Sequence, residues 1–187
     1  KAINSVHSDS FGMVAGPGFS RWQEGFCHLY SDVLEDGRAK SVDLPFDLLE
    51  RVLDEAREAL VDVTLPQLVH WDLWDGNVFV NGEGEITGLI DFERSLFGDP
   101  LMEHCFTERH PEFLEAYGPA GLETDSGKAR RLLYDVYLYL IMAIEGYYRH
   151  YTDPWVEQYG RAKTKEALLA LGVKEQEMGS LANAVMP

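Results

Sequence analysis

The sequence predicts an α+β chain, mainly helical and built around one short antiparallel hairpin. Val78-Phe79-Val80 and Ile86-Thr87-Gly88-Leu89-Ile90 are β-rich runs on either side of Asn81-Gly82-Glu83-Gly84-Glu85, a strong turn signal. Around that hairpin, most apolar residues recur at helical spacing between recognisable start and stop residues.

In chain order, the glycine-rich residues 12–18 read as an ordinary loop, because Pro17 removes an amide donor and no strand lysine follows. Ser20-Arg21-Trp22-Gln23 has the form of a capping box. Trp22, Phe26, Leu29, Tyr30 and Val33 then recur as in an amphipathic helix that gives way to a polar loop at residues 35–40, with Lys40 solvated. Pro45 opens a second helix carrying Leu48, Leu49, Val52, Leu53 and Leu60, which ends before Pro66. A strand, Gln67-Leu68-Val69, leads toward the hairpin. Gly98-Asp99-Pro100 reads as an N-cap followed by proline at the first helical position, opening a helix that carries Glu103. Further helices are expected over residues 111–117, 126–151 and 154–171, the last stopped by Gly172. We expect a single domain, 1–187, with leading helices in 1–66, a loop and hairpin in 67–103 and a helical subdomain in 104–187.

A chain of 187 residues is long enough for one core, burying about 70% of the unfolded surface. Lys plus Arg number 16 against 32 Asp plus Glu, a net charge of −16. Such a surface keeps the protein soluble first of all; it also repels nucleic-acid backbones and anionic membranes and favours cationic small molecules as partners. Cys27 and Cys105 lie far apart without ligand spacing and read as reduced thiols. No apolar run approaches the ~20 residues needed to cross a bilayer, and no signal-like start is visible, so the cytoplasm is the expected location.

The residues that carry chemistry are His70-Trp71-Asp72-Leu73-Trp74-Asp75-Gly76-Asn77 and, beyond the hairpin, Ile90-Asp91-Phe92-Glu93. Folding the hairpin about its turn sets Asn77 opposite Ile90 or Asp91, and such positions lie ~5–8 Å apart, a span over which two oxygen ligands share one hard cation. Asp72 sits in the loop entering the hairpin, where a carboxylate not tied to metal can orient a hydroxyl and take its proton. A lone Asp or Asn in a turn is usually structural; three at this spacing, together with His70, suit phosphoryl transfer. His104, His110 and His150 show no metal spacing and read as surface or hydrogen-bonded residues.

Residues 68–103 resemble the aminoglycoside phosphotransferase and choline kinase superfamily, whose members carry H-x-D-L-x-x-x-N, I-D-[FW]-E and G-D-P at similar intervals. The resemblance implies a protein-kinase-like C-terminal lobe with the metal site on the hairpin. It implies Asp72 as catalytic base, Asn77 and Asp91 as Mg2+ ligands, His70 as support of the loop, and ATP or GTP as phosphate donor. Asp99, as a helix cap, is expected to support the same region. Trp71 departs from the small residue usual between the His and the Asp. An N-terminal lobe with a nucleotide-covering strand pair and a strand lysine is not found in the sequence. The 187 residues are therefore expected to be inactive or weakly active alone, with apolar surface left exposed or used in self-association.

Only four residues separate Glu93 from Gly98, too few for the long regulated segment of protein kinases. That favours a small acceptor, an amino sugar or another amine-bearing alcohol. The candidate acceptor contacts are Trp74, Asp75, Glu103, Glu145, Tyr147, Tyr148, Asp153 and Trp155, with most of the aromatic residues around Tyr134, Tyr137 and Tyr139 assigned to the core. Two other readings remain: a magnesium-dependent phosphohydrolase using Asp72, Asp75 and Asp91 with water as acceptor, and a non-catalytic binding module on the same fold. An upstream nucleotide lobe separates the kinase from the hydrolase; an intact Asp72, Asn77 and Asp91 set counts against the module.

Overall fold

The computed structural model describes residues 1–108, 110–118 and 120–187. In chain order its main elements are β1 (Gly12–Met13), α1 (Trp22–Ala39), α2 (Phe46–Ala56), β2 (Gln67–Val69), β3 (Val78–Val80), β4 (Ile86–Leu89), β5 (Leu96–Gly98), α3 (His104–Glu108), α4 (Pro111–Tyr117), α5 (Asp125–Arg149) and α6 (Trp155–Ala170). The chain falls into two compact units, each made of two stretches that cut across the three sequence segments: 1–25 with 61–127, and 26–60 with 128–187.

The first unit holds two small antiparallel sheets. β3 and β4 form the expected hairpin, pairing Val78 with Leu89 and Phe79 with Gly88, with an irregularity before Val80 pairs with Ile86. Asn81 organises the turn: its Oδ1 accepts the amides of Glu83 (3.0 Å) and Glu85 (2.9 Å). The second sheet, in order β1-β5-β2, is not foreseen from sequence. Gly12 and Met13, read as loop, pair with Phe97 and Leu96, and the same β5 pairs through its other edge with Gln67, Leu68 and Val69. These strands are two or three residues long, too short to show alternation, and tertiary pairing makes them. Gly98 is required where β5 ends, because a Cβ there would stand 2.6 Å from the ring of the fully buried Trp22.

Asp99 caps a single 3-10 turn, Pro100–Met102, by accepting the Leu101 amide at 3.0 Å. Glu103 is the C-cap of that turn, before α3 begins at His104. The expected helix carrying Glu103 is thus a tight turn and a separate short helix, and Glu103 stands at the break between them.

The second unit is helical. α1 buries Phe26, Tyr30 and Leu34 at successive turns, and α2 buries Leu48, Leu49, Val52 and Leu53. Phe26 meets Tyr134 and Tyr137 of α5 edge to face, at ring-centroid distances of 5.0 and 5.4 Å. Arg131 and Asp135 pair at 2.8 Å in the interior of the same unit. A Cβ at Gly160 of α6 would approach the backbone of Tyr139 and Ala143 to 2.7 Å, so glycine lets α5 and α6 come close.

α1 runs on to Ala39, through residues expected to form a loop. It stops where Ser41 turns left-handed and Val42 donates to the Gly37 carbonyl at 2.9 Å. Lys40, expected to be solvated, is exposed but lies over the Tyr148 ring at 4.5 Å. Among the described residues, no helix is long and apolar enough to cross a membrane.

Candidate active site

β2 ends at Val69, and the chain then bends sharply at His70 and Trp71. Trp71 takes φ 63° with its side chain buried, a left-handed conformation that costs a bulky residue energy. Glu103 meets the bend: the His70 amide donates to its Oε1 at 2.6 Å and the Trp71 amide to its Oε2 at 3.1 Å. Burial pushes the Glu103 carboxyl above its ordinary range, against the pull of those two amides.

His70 is fully buried and ties the loop to the hairpin. Its Nδ1 accepts the Asp72 amide at 3.3 Å, which leaves the proton on Nε2 to donate to the Ile90 carbonyl at 2.8 Å. Phe92 packs on the imidazole at 4.3 Å between ring centroids. Supported in this way, the imidazole positions both ends of the site and is not exposed to a reactant.

After Asp72 the chain makes one 3-10 turn, Asp75–Asn77, and enters β3. Asn77 is 4% exposed, and its Nδ2 donates to the Asp72 carbonyl (2.8 Å) and to the Asp72 carboxylate (3.2 Å). Its backbone carbonyl accepts the Ile90 amide at 3.2 Å, so Asn77 faces Ile90 across the hairpin, with Asp91 next in the chain. Asp91 is exposed and left-handed, φ 67° and ψ 54°, a conformation Asp tolerates better than most residues. The hairpin thereby gathers Asp72, Asn77 and Asp91 at one end.

Among the described residues, no three His, Cys, Asp or Glu side chains converge into a metal cage. The oxygen donors at the hairpin are the Asn77 amide oxygen, left over when Nδ2 turns toward Asp72, and the Asp91 carboxylate. Two hard oxygens fit Mg2+, which takes few protein ligands and completes its shell with phosphates and water.

The acceptor candidates are divided. Trp74 and Asp75 are exposed on the turn between Asp72 and Asn77, with the Trp74 indole lying across Gly76. Glu103, by contrast, is buried, with each carboxylate oxygen taken by a backbone amide, an environment in which it braces the loop. Its signal in the sequence was an acid placed among Leu101, Met102 and Phe106, which are buried.

The others belong to the second unit, each with a local partner there. Glu145 pairs with Arg149 at 3.5 Å, and Tyr147 donates to Glu157 at 3.0 Å. Tyr148 donates to the Asp36 carbonyl and carboxylate at 3.1 Å. Asp153 accepts the Trp155 amide at 2.9 Å, and Trp155 stacks on Tyr159 at 5.0 Å.

Comparison with known proteins bears on this arrangement. The model of a family described as the phosphotransferase enzyme family matches residues 15–132. The fold is similar to that of a thermostable mutant of aminoglycoside phosphotransferase APH(4)-Ia in its apo form, with a TM-score of 0.61 and 20% sequence identity over 88% of this chain. It is also similar to a ternary complex of such a mutant with AMP-PNP and hygromycin B, with a TM-score of 0.59 and 20% identity. At that identity the likeness is one of fold, and the chain spans 58% of the length of either. No curated protein sequence matches the chain.

Proposed function

The chain belongs to the phosphotransferase enzyme family, and from that premise we propose that it serves ATP- or GTP-dependent phosphoryl transfer to a hydroxyl of a small, amine-bearing molecule. The observation that carries the reading is the coupled set at the hairpin, with Asn77 bonded to Asp72 and opposite Ile90, and Asp91 beside it.

In this mechanism the half-buried Asp72 carboxylate accepts the proton of the acceptor hydroxyl as the acceptor oxygen bonds to the γ-phosphorus and the β–γ bridging bond breaks, releasing the nucleoside diphosphate. Asn77 Oδ1 and the Asp91 carboxylate would hold Mg2+, whose contribution there is to neutralise phosphate charge. His70 and Glu103 keep the loop in place. Trp74 and Asp75, exposed beside Asp72, are where an amine-bearing acceptor would meet an aromatic face and a carboxylate. The net charge of −16 favours such cations over distance.

The AMP-PNP and hygromycin B of the structural relative support a nucleotide and a small-molecule acceptor. Glu145, Tyr148, Asp153 and Trp155 remain proposed acceptor contacts, and the cytoplasm the proposed location. By itself the 187-residue chain is proposed to turn over weakly or not at all, because enclosure and alignment of the phosphates supply much of the rate in this chemistry.

The test is a titration of AMP-PNP with and without Mg2+, followed by transfer assays against hydroxylated amines, on the chain alone and joined to a nucleotide-covering lobe. Mg2+-dependent binding and turnover in the joined form support the reading. Metal-independent binding with phosphate released only to water would replace it with hydrolysis.

A further inference from the structure

The Lys40 ammonium over the Tyr148 ring, at 4.5 Å, has no part in the mechanism. Both partners are fixed from behind. The Tyr148 hydroxyl donates to the Asp36 carbonyl and carboxylate at 3.1 Å, and the Lys40 amide donates to the same carbonyl at 3.2 Å. The end of α1 is thereby pinned to α5, and the exposed Tyr148 ring offers its face to a cation.

The same side chains border a groove of about 190 Å³ within the second unit. Val33 of α1 and Ile141 and Ile144 of α5 give it apolar walls, and Asp36, Glu145 and Arg149 line it with charge. Glu145 pairs with Arg149 at 3.5 Å. Two carboxylates therefore meet one guanidinium, and Lys40 supplies a second positive charge beside them. A cavity of roughly 150 Å³ takes a benzene ring, so the groove has room for an apolar group of that size. An exposed cation-π contact is worth only about 2–5-fold in an equilibrium constant, so a ligand that also fills the apolar part of the groove can displace Lys40.

We infer that this groove is a binding site for an organic ammonium ion with an apolar body, and that Lys40 occupies its cation position in the free protein. Binding stands on these side chains alone. That the bound ion is the amine of a phosphoryl acceptor rests on the reading of the chain as a phosphotransferase, and the two are separable by experiment.

NMR of the 187-residue chain carrying isotope-labelled lysine reads the cation position. The ring current of Tyr148 should hold the Lys40 ε-methylene resonance away from the common position of exposed lysines, and Tyr148→Leu should return it there. Phenethylammonium added to the parent should do the same along a saturable curve. Lys40→Met, which empties the cation position, should tighten phenethylammonium binding about 2–5-fold. Lys128→Met removes the same charge near the other end of α5, about 30 Å along the helix, and should leave the affinity unchanged. Ethanolammonium, which lacks the apolar body, and phenylethanol, which lacks the charge, should each bind at least about tenfold more weakly.

An unshifted Lys40 resonance in the free protein, a resonance that phenethylammonium leaves unmoved, equal effects of Lys40→Met and Lys128→Met, or equal binding of phenylethanol would each overturn the inference. In a form that turns over, phenethylammonium should raise the acceptor KM and leave the nucleotide KM within a few-fold. If it displaces Lys40 without touching turnover, the ammonium site stands and its use by the acceptor falls.

Discussion

Asn77 reaches back five residues to hold Asp72 twice, through the backbone carbonyl at 2.8 Å and the carboxylate at 3.2 Å. One buried amide thereby positions the proposed base, while its remaining oxygen is left for a metal. Asn77→Ala removes both donors and leaves the Asp72 carbonyl without its partner. We expect a loss of about 1–3 kcal/mol in urea unfolding, the usual cost of stranding a buried polar group, together with loss of Mg2+-dependent nucleotide binding. A stability change below about 0.5 kcal/mol, the level of an ordinary surface substitution, would show that the two bonds do not hold the loop.

Asp91 offers a way to separate metal binding from folding. Its left-handed backbone carries strain, and its exposed side chain has little packing to lose. Asp91→Gly relieves the strain at some cost in unfolded-chain entropy, so stability should stay level or rise by up to about 1 kcal/mol. Mg2+-dependent nucleotide binding should disappear in the same variant. A fall in melting temperature would assign Asp91 a structural role, and retained metal dependence would remove it from the ligand set.

The raised carboxyl of Glu103 makes a pH prediction. Its folded form binds the proton more tightly than the ordinary value of 4.5 allows, chiefly through burial. A group of this sign contributes stability that is fully present below the unfolded value and is lost as pH rises through the folded one. The advantage of the parent over Glu103→Gln should therefore be greatest near pH 4.5 and below, decline as pH rises, and then level off. Paired urea titrations across that range check it. An advantage that grows with pH would mean that the two amides outweigh burial and hold the carboxyl below its ordinary range.

The parts of this molecule that were legible in the sequence are those with strong local signals. The Asn-Gly turn, the spacing of Asp72, Asn77 and Asp91, and the apolar faces of α2 and α5 each follow from residues close together in the chain. The sheet of β1, β5 and β2 was not legible, because strands of two or three residues acquire their identity only from partners distant in the chain, such as Val69 with Leu96 and Gly12 with Phe97. Glu103, read from sequence as a candidate acceptor contact, was not legible as a buried brace for the same reason, because its burial depends on a bend 32 residues earlier. The end of α1 was missed differently. A polar run with a glycine reads as loop, but Gly37 is a buried helical position, and Ser41 makes the left-handed stop in glycine's place.

Asp72→Asn is the sharpest test of the proposed mechanism. Asparagine keeps the shape and can still accept the Asn77 bond through its amide oxygen, so the loop geometry should survive. It cannot take a proton. In a form that turns over, the rate should fall by about 10²–10⁴-fold, the usual contribution of a positioned acid-base group, with nucleotide affinity nearly unchanged. As the proposed base, Asp72 would act on the acceptor in the transition state and not on the nucleotide in the ground state, which is why the two quantities should part. If Asp72 only braced the loop, the substitution would lower melting temperature, nucleotide affinity and rate together. Measuring all three on one variant decides between these, and a stable Asp72→Asn protein whose turnover stays within a few-fold of the parent would remove the base from the mechanism.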